Sequence, residues 1–176
     1  PSCARARGRT PRSTPATAPA PPDTQGATLD LLREALIDRR FGDVAAVSSF
    51  GAESAVLLHL IASVDRTAPV LFIDTGMLFA ETLAYRDELA SRLGLTDVRT
   101  IRPAREAVRV TDIWGRLHLT DPDACCDLRK TQVLDAALEG FDGWITGRKR
   151  HQALTRSDIE PVEQAANGKT KLNPLA

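Results

Sequence analysis

The sequence predicts an α/β fold, a doubly wound and mainly parallel sheet with helices on both faces, and three observations carry the prediction. Short continuous apolar runs recur at Asp43 to Ser49, Pro69 to Asp74 and Gly143 to Thr146, as strands buried on both faces require. The first two run into small-residue turns, Phe50-Gly51 and Thr75-Gly76. Segments of helical periodicity alternate with these strands, an order that favours parallel pairing through crossover helices.

Taken in order, residues 1–27 hold Arg5, Arg7, Arg9 and Arg12, six prolines and no acid before Asp23. Such a mixture buries little apolar surface, so a disordered tail is expected, followed by one domain over residues 28–176. Its Arg-rich character faintly resembles an organellar transit peptide, without an amphipathic pattern. Leu29, Leu32, Ala35 and Leu36 share one helical face, predicting a first helix that ends near Arg40, before Gly42. After the Asp43 to Ser49 strand, Glu53 to Val64 reads as a helix. After the Pro69 to Asp74 strand, Phe79 to Leu93 does too, with Gly94 as its stop. Asp97 to Ile101 reads as a third strand, Ala124 to Leu138 as one helix and Gly143 to Thr146 as a fourth strand. Ile159 to Val162 and Lys169 to Leu172 flank Asn167-Gly168, a good hairpin turn.

With 176 residues, 43% of them apolar, the chain has room for one domain with a real core. Lys+Arg and Asp+Glu balance at 23 each, which disfavours nucleic acid or an anionic membrane as partner and makes any anion site local. No apolar run approaches the roughly 18 residues of a membrane span, and a cytoplasmic location is expected. Three cysteines, two of them adjacent, make a poor disulfide framework, so metal or redox chemistry is the better use.

Ligands of open parallel sheets bind at the carboxyl ends of strands, where helix N-termini offer N–H groups to anions. Ser48-Ser49-Phe50-Gly51-Ala52-Glu53-Ser54 falls there, with hydroxyls and a glycine that admit oxyanions closely. Neither G-x-x-x-x-G-K-[ST] nor G-x-G-x-x-G occurs, which disfavours ordinary kinases and dinucleotide enzymes. On local physics alone the segment is equally a plain strand-to-helix turn. Cys125-Cys126, at the start of a predicted helix, suits two neighbouring irons of a cluster, and Lys130 lies one turn on. The other reading is two small hydrophobes on a helix. Gly147-Arg148-Lys149-Arg150-His151-Gln152-Ala153-Leu154-Thr155-Arg156 places four cations in nine residues after the fourth strand. Guanidinium forks suit sulfate and phosphate, while a solvated charge run is the alternative. His59, His118 and His151 have no companions that suggest a metal site or a triad.

SSFGAESAVLLHL, FIDTGMLFAETLAYRDELASRLGL, CCDLRK about 75 residues past the first loop, and GRKRHQALTR together resemble the adenylyl-sulfate and phosphoadenylyl-sulfate reductases, relatives of the PP-loop ATP pyrophosphatases. The resemblance implies the adenine-nucleotide α-hydrolase-like PP-loop fold, incomplete at the C-terminus. It implies substrate contacts from Ser48, Ser49, Phe50, Gly51, Glu53 and Ser54, and more loosely from Asp74, Thr75 and Gly76. To these it adds Lys130, Gly147, Lys149, Arg150, Gln152 and Arg156. Cys125 and Cys126 become two of the four ligands of a 4Fe-4S cluster, the mark of the enzymes that take unphosphorylated adenylyl sulfate. Met77, Ala80 and Thr131-Gln132-Val133-Leu134 depart from the usual pattern, and Met77 weakens any cationic contact there. The implied reaction is reduction of adenylyl sulfate to sulfite and AMP in sulfate assimilation and cysteine biosynthesis, with thioredoxin or glutaredoxin as donor. A homo-oligomer is compatible with it. The family's Cys-x-x-Cys pair and its nucleophilic Glu-Cys-Gly-[Ile/Leu]-His tail do not occur, so the expectation is a chain without turnover that holds the cluster poorly. Phosphoadenylyl-sulfate reduction, ATP pyrophosphatase or adenylyltransferase chemistry, and a non-catalytic nucleotide-binding remnant are the competing readings.

Overall fold

The computed structural model describes residues 24–52, 54–149 and 159–176. A six-stranded sheet organises them. Strands β1 (Val44–Val47), β2 (Val70–Ile73) and β3 (Val98–Ile101) run outward from the centre, and β4 (Gly143–Thr146) returns to the free side of β1. Beyond it lie β6 (Thr170–Leu172) and, at the edge, β5 (Val162–Gln164), giving the order β3-β2-β1-β4-β6-β5. All pairings are parallel except β5 with β6. The doubly wound, mainly parallel sheet expected from the sequence is the one found.

Burial on both faces follows from the strand alternation. Val44, Ala46, Val70 and Phe72 point into one core, where Leu32 and Ala35 of α1 (Thr24–Leu36) and Leu57, Leu58 and Ile61 of α2 (Ser54–Val64) cover them. Leu83, Leu89, Ala90 and Leu93 of α3 (Ala80–Leu93) pack against the same cluster. Ala45, Leu71, Val47 and Trp144 point the other way, onto Leu134 and Leu138 of α7 (Gln132–Leu138). One-residue alternation on a single strand therefore feeds two separate cores.

Several boundaries differ from the sequence expectation. The first helix begins at Thr24, inside the stretch expected to be tail, and ends at Leu36 rather than near Arg40. Buried Thr28 explains part of the extension: its hydroxyl donates to the Pro174 carbonyl at 2.8 Å, tying the helix to the C-terminal turn. The hairpin strands lie at Val162–Gln164 and Thr170–Leu172, with Gly168 at φ 78 in the predicted turn. Two short helices between β3 and the cysteines, α4 (Arg105–Thr111) and α5 (Leu117–Thr120), carry no buried residue and so no apolar stripe to read. The predicted helix Ala124 to Leu138 is three pieces: α6 (Pro122–Cys126), a π-helical turn Asp127–Thr131, and α7.

Fully buried Asn173 closes the sheet's far side. Its amide donates to the Glu160 carbonyl at 2.8 Å, its Oδ1 accepts from the Thr146 hydroxyl at 2.8 Å, and its N–H reaches the Pro161 carbonyl. At β4 no side chain but glycine's hydrogen fits. A Cβ on Gly143 would lie 2.5 Å from the Thr170 carbonyl oxygen of β6.

Candidate active site

β1, β2 and β4 are mutually parallel, so the segments that leave them, residues 48–52, 74–77 and 147–149, emerge at one end of the sheet. The chain winds outward from β1 through β2 to β3 and then crosses to β4, so the strand order reverses beside β1. That reversal opens the crevice where open α/β sheets take ligands.

The turn after β1 is built almost wholly from its own residues. Buried Ser48 accepts the Phe50 N–H on its hydroxyl at 3.1 Å, and Phe50 takes the left-handed backbone conformation, φ 53. A non-glycine residue resists that conformation. The Phe50 ring holds it there, 1% exposed and edge-on to Phe72 with centroids 5.6 Å apart. Phe50 was expected among the substrate contacts; its ring is committed to the core, and only its backbone faces the turn. Ser49, Gly51 and Ala52 are exposed, and the Ser54 N–H bonds the Gly51 carbonyl at 2.8 Å as α2 begins. Glu53, Arg150, Gln152 and Arg156 lie outside the described residues.

Behind β2 the turn is held by a buried carboxylate. Asp74 Oδ1 accepts the Gly76 N–H at 2.9 Å, and Oδ2 accepts Arg102 Nε at 2.9 Å. Burial alone would raise this carboxyl. The Gly76 bond, the Arg102 bond and charge, and the charge of Arg86 outweigh burial and hold it below the ordinary value. Both Asp74 oxygens are thus engaged by the protein itself. Thr75 is buried, its hydroxyl accepting the Met77 N–H, and Gly76 is exposed at φ 75.

The cysteine segment docks against this second turn. Asp121 caps α6 by accepting the Ala124 N–H at 3.0 Å, and Cys125 is 8% exposed while Cys126 is open to solvent. From the π-helical turn, Arg129 reaches back. Nη1 donates to the Thr75 carbonyl at 2.7 Å, and Nη2 donates to Asp112 Oδ2 at 2.7 Å. Asp112 Oδ1 also accepts the Leu117 N–H at 3.0 Å. The bond from Arg129, then that from Leu117, holds the Asp112 carboxyl below its ordinary value against burial. Sequence reasoning singled out Lys130 and passed over Arg129 and Asp112. A usable signal existed: Cys125, Leu128 and Arg129 fall at helical spacing on one buried face, and an arginine there calls for a buried acid.

A recess of about 260 Å³ lies between the turn and the thiols, bounded by Thr75, Met77, His118, Cys125, Cys126 and Lys130. Arg129 also borders it, and its Nε is buried without a hydrogen-bond partner. A buried N–H without a partner is the kind of group that an unmade contact to an electron-rich atom leaves behind. Two thiols are half of what a four-thiolate cluster takes, and among the described residues no group of three or more His, Cys, Asp or Glu stands where a metal ion could be held.

At the end of β4, Gly147 passes α2 closely, a Cβ there falling 3.6 Å from Leu57 Cδ2. Arg148 turns to the hairpin and lies 3.7 Å from Glu163, which Lys171 approaches at 3.4 Å. Among the described residues of the basic segment, Lys149 follows, half-buried. No described helix is long and apolar enough to cross a membrane.

Comparison with known proteins identifies the family and the fold. Residues 43–176 match the Phosphoadenosine phosphosulfate reductase domain. An adenosine 5'-phosphosulfate reductase of Mesorhizobium japonicum is 47% identical over 148 residues, 84% of this chain and 58% of the relative. That of a Chelativorans species is 50% identical over 135 residues, 77% of this chain and 55% of the relative. The chain thus spans somewhat over half the length of these relatives. In fold it is similar to a phosphoadenylyl-sulfate reductase from Candida auris crystallised with phosphate. The TM-score is 0.69 and the identity 24%, covering 85% of this chain and 72% of that one.

Proposed function

Because this chain belongs to the Phosphoadenosine phosphosulfate reductase domain family, we propose that it forms the nucleotide-binding part of a reductase of adenylyl sulfate in sulfate assimilation. The observation that carries the reading is the Arg129 bridge, which sets the vicinal cysteines against the turn after β2, at the same sheet end as the serine-glycine turn after β1. In this reading the N–H groups of residues 49, 51 and 52, with the Ser49 and Ser54 hydroxyls, receive the sulfate and phosphate oxygens. Gly51 lets those oxygens approach the backbone, and Gly76 does the same for the nucleotide on the β2 side. Lys130 and Lys149 supply cations, together with Arg150, Gln152, Arg156 and Glu53.

Cys125 and Cys126 would hold two irons of a 4Fe-4S cluster, with Arg129 bordering the same recess. When bound, that group would bring iron-thiolate charge close to the anionic end of the nucleotide. Lys130 offsets the resulting repulsion. Reduction then requires a thiolate that attacks the sulfate sulfur. The sulfur-oxygen bond breaks, AMP leaves, and an S-sulfocysteine remains. A dithiol such as that of thioredoxin attacks this cysteine's sulfur, releases sulfite and ends as a disulfide. In this reading Cys125 and Cys126 hold iron, so neither is the attacking thiol. A cytoplasmic setting suits free thiols and this chemistry.

Calorimetric titration of the chain with adenylyl sulfate, phosphoadenylyl sulfate and Mg-ATP tests the proposal. Adenylyl sulfate is expected to bind tightest. Tighter binding of the 3′-phosphorylated nucleotide would move the assignment to that substrate, and pyrophosphate release from Mg-ATP would replace it with a pyrophosphatase.

A further inference from the structure

We propose that Asp112 is a positioning residue that sets the place of the cysteine pair against the Asp74-Thr75-Gly76 turn, acting through Arg129. The inference deepens the reading above and rests on it for its functional meaning. Three separate pieces of chain meet at this residue. Its own N–H bonds the Val108 carbonyl at 2.8 Å where α4 ends. One oxygen takes the Leu117 N–H at the start of α5, and the other takes Arg129 Nη2. Arg129 and Asp112 are each only 7% exposed, so neither is held in place by solvent.

A planar guanidinium with one edge fixed by a carboxylate has little freedom left for its remaining N–H groups. With Nη2 on Asp112, Nη1 falls on the Thr75 carbonyl, and Nε stays buried without a hydrogen-bond partner while the residue borders the recess that the thiols line. Removing the carboxylate frees the fork, and the link between the cysteine helix and the turn goes with it. The π-helical turn fits the same account. It begins at the residue after Cys126 and contains Arg129, and such a local insertion re-aims side chains at functional sites. Among the described residues the Asp112 carboxylate bonds Leu117 and Arg129 and neither cysteine, so its effect on the thiols is indirect.

The test compares Asp112→Ala, Asp112→Asn and Leu138→Ala in the full chain, the last removing a fully buried side chain from α7. For each, iodoacetamide alkylation of Cys125 and Cys126 is followed by mass spectrometry alongside thermal melting. The parent should alkylate exposed Cys126 well ahead of Cys125. Asp112→Ala should raise the Cys125 to Cys126 rate ratio by about tenfold or more, as a local opening would, and Asp112→Asn, which keeps one acceptor of the two and loses the charge, should fall between the parent and the alanine variant. Leu138→Ala should lower the melting temperature and leave the ratio unchanged. A parent-like ratio in Asp112→Ala, or an equal rise in Leu138→Ala, overturns the proposal. The ratio is read without nucleotide, so failure of adenylyl sulfate to bind the parent chain would count against the functional reading and leave this one standing.

Discussion

The turn after β1 and the cysteine segment sit at one end of one sheet, yet they are held in opposite ways. Residues 48–52 and 54 are fixed by neighbours: a Ser48 hydroxyl on the Phe50 N–H, a Gly51 carbonyl on the Ser54 N–H, and a phenyl ring beneath. The thiols of residues 125 and 126 depend on contacts 17 and 54 residues away in sequence, Arg129 to Asp112 and to Thr75. A locally built cradle keeps its shape through the covalent chain. A cysteine platform built from distant side chains moves when any one partner is lost.

The comparison breaks most visibly at Phe50. Phe50→Ala should cost about 3–5 kcal/mol, the usual loss for a buried phenyl ring. Phe50→Gly should cost about 1 kcal/mol less than the alanine variant, because glycine takes φ 53 without strain. Urea unfolding of the two variants gives the difference directly. Equal stabilities would mean the left-handed backbone is not under strain.

Acid separates the second turn from the first. Asp74 titrates below its ordinary value of 3.8 in the folded chain, so its contribution is fully present above that value. It is lost as pH falls through the lower folded value. Asp112 acts in the same direction. Melting temperature followed from pH 7 downward should therefore fall more steeply below pH ~4 in the parent than in Asp74→Asn. Parallel curves would show that the turn draws no stability from the ionised form.

The smallest expected effect is that of Ser48→Ala, about 1 kcal/mol for one lost hydrogen bond to a backbone N–H. Its unfolding free energy should drop by that amount while the Cys125 to Cys126 alkylation ratio stays as in the parent. A changed ratio would show that the two regions are not independently held.

The same contrast decides what the sequence disclosed. The strands were legible because Ala45 and Ala46 each face a core, so the run DVAAVSS reads as continuous apolar burial. The serine-glycine turn was legible because its causes are adjacent residues. Phe50 was read as a substrate contact along with the rest of its loop, and that its ring belongs to the core, with a left-handed backbone and an edge-on contact to Phe72, appears only in three dimensions. Arg129 and Asp112 were passed over for a related reason: in CCDLRK the lysine and arginine look alike, and burial distinguishes them, Arg129 buried and Lys130 exposed. The π-helical turn leaves no periodic trace in five residues.

Hydrogen-deuterium exchange with and without adenylyl sulfate tests the central claim most directly. Amides of residues 48–55 and 74–77 should gain protection together, on the end of the sheet that carries both turns. The rival location is the recess of about 490 Å³ at the other end of the sheet, lined by Arg39, Asp43, Thr67 and Arg99 among others. Protection at residues 39–44 and 65–69, with exchange unchanged at 48–55, would contradict the account.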